Sequence, residues 1–163
     1  MRPAVTIAVQ NASGMAEIPD SAMIDACIRQ AINCARPESG ASFEIAVRIV
    51  DEDEGRELNK RFRHVDKPTN VLAFPSDDEQ FAALRGDTGP RALGDLVICG
   101  PVVLREAAEQ AKDPQNHCLH LLVHGTLHLL GFDHRNAQEA AAMESLETRI
   151  LAARGIDDPY RDR

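Results

Sequence analysis

The stretch HGTLHLLGFDH, residues 124–134, sets three histidines at the spacing H-x3-H-x5-H, with Gly131 three residues after the second. On an α-helix, at about 100° per residue, His124 and His128 differ by about 40° around the axis and stand one turn apart. Both rings leave the same face, which is the geometry for gripping one ion. On a continued helix His134 would point about 280° away from His124. Gly131 resolves this: a glycine can take positive φ and end the helix, so that Phe132, Asp133 and His134 fold back. The stretch therefore predicts a late helix, a glycine turn and a returning histidine. His117 and His120 fall in the same arc of about 80°, but His120 and His128 lie about 12 Å apart along the axis, too far to share one ion through bonds of about 2 Å. The third ligand must come from beyond the helix, and His134 is placed to supply it.

Three neutral imidazoles suit a divalent metal, and the ligand type favours one zinc ion per chain on His124, His128 and His134. A tetrahedral zinc with three protein ligands keeps a fourth position for water, the mark of a catalytic rather than a closed site. The spacing is also that of the metzincin proteases, H-E-x-x-H-x-x-G-x-x-H, but Gly125 stands where they keep their general-base glutamate. Glu144 and Glu147 follow on the next helix, yet nothing in the sequence brings either to the metal, so a zinc protease is only an alternative. Asp133 has two readings, as a carboxylate that orients a ligand imidazole or as the cap of the turn. The cysteines, Cys27, Cys34, Cys99 and Cys118, form no C-x-x-C pair and read as reduced thiols, with Cys118 near enough to the histidines to be considered as a ligand.

Outward from this stretch the chain alternates between two periods. Residues 4–10 and 43–50 are β-branched and alternating, and 70–74 (NVLAF) and 92–99 (ALGDLVIC) complete four strands. Residues 20–36 repeat apolar positions at helical spacing behind an Asp20 or Ser21 cap, and a second helix is expected over Glu52–Arg63. After Pro101 the chain reads as helices over 101–112, 115–130 and 136–153. Residues 75–92 are polar and rich in Gly and Pro, and look like a mobile surface loop. The pattern predicts an α+β fold over 1–163, one domain, with a small mixed four-stranded sheet, about five helices, and the metal site on a late helix and the turn after it.

With 44% hydrophobic and 27% charged residues the chain is globular, and no apolar run approaches the ~18 residues that span a bilayer. The N-terminal segment reads as a strand rather than a signal peptide, which places the protein in the cytoplasm. Net charge is −8, which argues against unspecific binding to polyanions. One basic concentration stands out against it: RELNKRFRHVDK, residues 56–67, holds Arg56, Lys60, Arg61, Arg63 and Lys67 beside His64. It is the natural place for an anionic ligand.

HGTLHLLGFDH, LNKRFRHVDKPTNVLAFP (58–75) and LGDLVIC (93–99), in that order, resemble the YbeY-type endoribonucleases, bacterial rRNA maturation factors. The likeness runs over most of residues 43–150. It implies a zinc-dependent, single-strand-specific endoribonuclease acting in rRNA processing, ribosome maturation and quality control, with partners in RNA and the ribosome or its proteins, and with no DNA or membrane. It implies zinc on the three histidines and a functional arginine at Arg63, whose planar fork can grip a phosphate. Lys60, Arg61 and Lys67 are expected RNA contacts, and Asn70 and Asp95 are candidates for the cleft. Ala73 departs from the serine common in the family. A ribosome-assembly factor with a structural metal is the non-enzymatic alternative. Few aromatic residues are available for base stacking (five Phe, one Tyr, no Trp), so weak reading of base sequence is expected.

Overall fold

The computed structural model describes residues 2–38, 40–76 and 91–161. Strand β1 (Ala4–Asn11), helix α1 (Ser21–Ala35), strand β2 (Ser42–Val50), helix α2 (Glu52–Arg63) and strand β3 (Val71–Pro75) lead to strand β4 (Arg91–Cys99). Helices α3 (Gly100–Glu109), α4 (Pro114–Leu129) and α5 (Ala137–Ala152) follow. Among the described residues the expected α+β architecture is present, with four strands and five helices. Of the polar segment read as a loop, residues 77–90 lie outside the described residues, while its ends belong to β3 and β4.

The sheet order is β1-β2-β4-β3, with β1, β2 and β4 parallel and β3 antiparallel to β4. Alternation along β2 sends Phe43, Ile45, Val47 and Ile49 to one face, where they join the main core with the buried residues of α1 and α4 and with Met143, Ile150 and Leu151 of α5. The opposite phase, Val50 with Leu72, Val97 and Cys99, forms a smaller core under α2 and α3 with Leu58 and Val102. The sheet is thus covered on one face by α1, α4 and α5, and on the other only over β3 and β4 by α2 and α3, with Ala4, Thr6, Ala8 and Gln10 of β1 left exposed.

Strand β3 is the edge on which the functional elements converge. Cys99 donates its N–H to the Asn70 carbonyl at 3.0 Å, and Ser76 donates to Leu93 at 3.1 Å. Residues 70, 72, 74 and 76 therefore direct their peptide groups at β4, and those of Val71 and Ala73 point to the outer edge. Helix α2 reaches that edge with its C-terminal turn. Asp51 caps its start by accepting from Glu54 N at 2.9 Å, and His64 ends it in the left-handed region at φ 61°. Glu52, Asp53 and Glu54 fill the first turn and Lys60, Arg61 and Arg63 the last, both favourable to the helix dipole. No described helix is long and apolar enough to cross a membrane.

The Asp51 cap anchors the helix that carries the basic cluster. Asp51→Ala is expected to lower stability by about 1 kcal/mol, read as a shift in the urea midpoint with an unchanged slope.

Candidate metal centre

Helix α4 starts behind an Asp113 cap, with Pro114 in its first turn, and runs to Leu129. It lies so close to the sheet that a Cβ built on Gly125 would stand 2.7 Å from Leu96 Cδ2 and 3.5 Å from Val71 Cγ2. Gly125 is therefore a packing residue, and any side chain there would run into the sheet. The turn forms as the spacing predicts: Gly131 adopts φ 101°, its N–H bonds the His128 carbonyl at 3.0 Å, and Phe132 N bonds the Leu127 carbonyl at 3.0 Å.

The result brings His124, His128 and His134 together. One ligand nitrogen from each lies within 4.8 Å of the other two. The Nε2 atoms of His124 and His128 are 3.1 Å apart. A tetrahedral metal with bonds of about 2.0–2.1 Å holds neighbouring ligand nitrogens roughly 3.3–3.4 Å apart, so the pair is already near the required spacing. Burial pushes the His128 imidazolium below its ordinary pKa, and the neighbouring His124 and His134 add to this against a smaller opposing effect of Asp133 and the backbone of Phe132. A neutral imidazole is the form that binds a metal. These residues fit a divalent ion.

Behind His124 stands a residue that the motif does not contain. Glu147 of α5 is fully buried and accepts from His124 Nδ1 at 2.6 Å and from His120 Nε2 at 3.0 Å. The Tyr160 hydroxyl donates to the same carboxylate. Burial alone would raise this carboxyl, but the hydrogen bonds from His120, His124 and Tyr160 outweigh it and hold the pKa at about 2. The carboxylate thus keeps a proton on His124 Nδ1 and a lone pair on Nε2, the atom that faces His128. A carboxylate this acidic and enclosed is no general base, so Glu147 does not replace the one missing at Gly125. Its sequence signal is its register: with Met143, Ile150 and Leu151 it occupies the apolar face of α5 at helical spacing, where an acid is out of place unless paired.

The other candidates occupy separate places. Asp133 accepts from His134 N at 2.7 Å and Arg135 Nε at 2.8 Å, while His134 Nδ1 is 4.0 Å away. Its hydrogen bonds therefore hold the turn, not an imidazole. Asn70 donates to Glu106 at 3.0 Å and accepts from Val71 N at 2.6 Å, and Glu106 also receives His117 Nε2 at 3.0 Å, which ties β3, α3 and α4 together. Cys118 is buried in the core with its thiol pushed up to about 12 by burial, and stands outside the histidine cluster. Asp95 is exposed on the sheet face that carries α2.

Arg63 donates from Nη2 to the Ala73 carbonyl at 2.8 Å, and its guanidinium lies 5.1 Å from the Phe74 ring centroid. Ala73 is the register partner of Leu96, the residue beneath Gly125. Arg63 therefore meets the outer edge of β3 at the level of the helical turn between His124 and His128. The contact is to a backbone carbonyl, so it does not depend on the serine that Ala73 replaces. In the basic cluster Arg56 is paired with Asp66 at 2.7 Å, whereas Lys60, Arg61, Arg63 and Lys67 form no ion pair with a carboxylate among the described residues.

The family model described as Endoribonuclease YbeY matches residues 8–155. Proteins named Endoribonuclease YbeY are 47% identical over 157 residues in Halorhodospira halophila, covering 96% of this chain and 97% of that one. In Alkalilimnicola ehrlichii the identity is 53% over 140 residues, covering 84% and 81%. The solution structure of TM1509 from Thermotoga maritima shares the fold, with a TM-score of 0.58 at 22% identity over 96% of this chain and 99% of that one.

The carboxylate behind His124 and the glycine beneath it generate separate predictions. Because the Glu147 carboxyl is depressed from 4.5 to about 2, its contribution to stability is fully present above about pH 5 and is lost as pH falls toward 2. Glu147→Gln is expected to flatten that acid limb in thermal melts of metal-free protein. At pH 7 it should cost on the order of 3 kcal/mol and weaken metal binding by about 10- to 100-fold, read by competition with a chelating dye. An acid limb as steep as that of the parent protein contradicts the assignment. Gly125→Ala meets only the mobile end of Leu96 and should cost about 1–3 kcal/mol. Gly125→Glu, which drives a charge into the sheet, should abolish cooperative unfolding by circular dichroism rather than create a protease.

Proposed function

The chain belongs to the YbeY endoribonuclease family, and from that membership we propose that it is a metal-dependent nuclease of single-stranded RNA that acts in rRNA processing and ribosome maturation and quality control. The observation that carries the metal dependence is the convergence of three histidine nitrogens with a buried carboxylate fixing the tautomer of one of them. His124, His128 and His134 would hold the ion, with zinc favoured by three imidazole ligands. When bound, such an ion supplies Lewis acidity toward a phosphate oxygen and lowers the pKa of water.

The protein's own groups do the rest. Cleavage of a phosphodiester builds negative charge on the non-bridging oxygens, and a guanidinium aimed at them stabilises that charge most in the transition state. Arg63 spends one donor on the Ala73 carbonyl and stacks on Phe74, which fixes its plane, and its remaining N–H groups are exposed for a phosphate. Lys60, Arg61 and Lys67 extend positive charge along the same edge for neighbouring phosphates. At the motif position of the protease glutamate stands Gly125, Glu147 is enclosed, and Asp133 is engaged by His134 N and Arg135, which disfavours peptide hydrolysis. A phosphodiester of RNA needs such a base less, because its own 2′-hydroxyl is an available nucleophile. The proposal takes the chain as a single cytoplasmic domain, with the ribosome or its proteins as further partners.

The decisive measurement pairs metal analysis with cleavage of a single-stranded RNA oligonucleotide and of the same sequence in a duplex. The native protein should carry one zinc ion and cut only the single strand. Chelation should stop cleavage and zinc should restore it. His128→Ala is expected to lose metal, and Arg63→Glu to keep it, each with a loss of at least about 100-fold in rate. Undiminished cleavage by metal-stripped His128→Ala sinks the metal-dependent mechanism, and undiminished cleavage by Arg63→Glu removes the arginine from it.

A further inference from the structure

The sheet face that carries α2 and α3 is covered on one side only. Leu58 of α2 and Val102 of α3 pack over β4 and β3, whereas Ala4, Thr6, Ala8 and Gln10 of β1 remain exposed. Between the uncovered strands and α2 lies a cavity of about 570 Å³, within the range of about 300–1,000 Å³ typical of small-molecule sites. Its floor is built from small residues, Ala8 and Ala46 with Val97, and its wall carries Phe62 and Phe74.

Phe62 is 48% exposed, a large apolar ring left in water beside a cavity. Its ring meets Phe74 edge-on with centroids 5.3 Å apart, so the pair is held at a fixed angle. Arg61 lies 5.3 Å from the Phe62 centroid and Arg63 5.1 Å from that of Phe74. The mouth of the cavity thus combines a flat apolar surface with cations that have no carboxylate partner among the described residues. Inside it, the exposed carboxylate of Asp95 and the Arg48–Glu54 pair, with Gln10 on Arg48 Nη1 at 2.6 Å, offer acceptors and donors. A ligand that matches has a flat, hydrogen-bonding ring system attached to phosphates. The cavity also continues the proposed cleavage site: Arg63 straddles the β3 edge, with the α4 histidine turn level with Ala73 on one face and Phe74 lining the cavity on the other.

We infer that this cavity is a nucleotide subsite, in which an unpaired base of the RNA next to the cleaved phosphate stacks against Phe62 while its phosphates lie on Arg61 and Lys60. The inference rests on the endoribonuclease proposal above. It adds a reason for single-strand preference, because a base enters the cavity only when it is unstacked and unpaired. It is compatible with the weak reading of base sequence expected from composition, because a single phenylalanine platform accepts any base.

The test uses the zinc-loaded chain of 163 residues, a fluorescent single-stranded RNA with 2′-O-methyl groups that block cleavage, and a parallel assay with cleavable RNA. Phe62→Ala should weaken binding by about 5- to 100-fold, the range for loss of one stacked base. It should raise KM with kcat nearly unchanged, and leave metal content intact. Ala8→Leu, which adds bulk to the cavity lining from β1, should weaken binding similarly, whereas Met23→Ala, an exposed apolar side chain on α1, should not. The chain contains no tryptophan, so Phe62→Trp supplies a single reporter. It should bind RNA like the parent protein and lose emission on adding single-stranded but not duplex RNA. If the parent protein fails to cut RNA at all, the endoribonuclease proposal fails. If it cuts, but Phe62→Ala and Ala8→Leu bind with parental affinity and the indole emission of Phe62→Trp ignores RNA, the subsite is overturned, and a protein partner becomes the occupant to test.

Discussion

A helix can lie on a sheet only as closely as its largest inward side chain permits, and at the turn that matters here Gly125 has none. With Leu96 Cδ2 only 2.7 Å from where a Cβ would be, α4 sits against the sheet at β3 and β4. His124 and His128 leave the helix about 100° and 60° around from that contact, so the ligand face looks sideways along the sheet instead of into it or straight away from it. The same approach brings the histidine turn level with Ala73, whose carbonyl holds Arg63. Raising the helix by one side chain would separate the ligands from the arginine. The glycine in the second position of the motif is therefore a geometric requirement before it is a statement about chemistry. The two agree, because a glutamate there would be aimed at Leu96.

A second constraint follows from burying charge. Glu147 is fully enclosed, and an ionised carboxylate in such a place is strongly unfavourable unless its oxygens are satisfied. Three donors meet it from two directions, His120 and His124 on α4 and Tyr160 beyond the end of α5. Each donor is thereby fixed as well. A buried charge that requires its partners gives them one orientation, which is what a metal ligand needs before the ion arrives. The C-terminal segment is thus connected to the metal centre through a single carboxylate.

The sequence exposed some of this plainly and hid the rest, for identifiable reasons. The convergence of the three histidines was legible because two histidines at i and i+4 and a helix-ending glycine are local features, and local geometry needs no knowledge of the fold. The span of α2 over Glu52–Arg63 was legible, and the structure adds the Asp51 cap and the charge segregation that fix its ends. Glu147 is separated from His124 by 23 residues and reaches it only because α5 packs back on α4, a tertiary fact. Its trace, an acid on an apolar helical stripe, says that a partner exists without saying which. The exposure of Phe62 was hidden for a related reason: composition counts aromatic residues, whereas this exposure depends on α2 ending beside an uncovered part of the sheet.

An acidic protein that handles RNA must solve a long-range problem before any contact forms, since a net charge of −8 repels a polyanion. Helix α2 shows how this chain does so. Dipole preference sorts its acids into the first turn and its bases into the last. The acids at the first end are then engaged, Glu54 by Arg48 and Glu52 by Arg105, and their fields are partly cancelled. The bases at the other end, apart from Arg56, are left without carboxylate partners among the described residues. The helix therefore presents one positive end, and that end stands at the β3 edge between the histidines and the Phe62 cavity. Over a Debye length of about 8 Å at physiological salt, only this local field is felt by an approaching phosphate. A phosphate that approaches the β3 edge is thus attracted there despite the net charge of −8, which disfavours unspecific binding of a polyanion elsewhere.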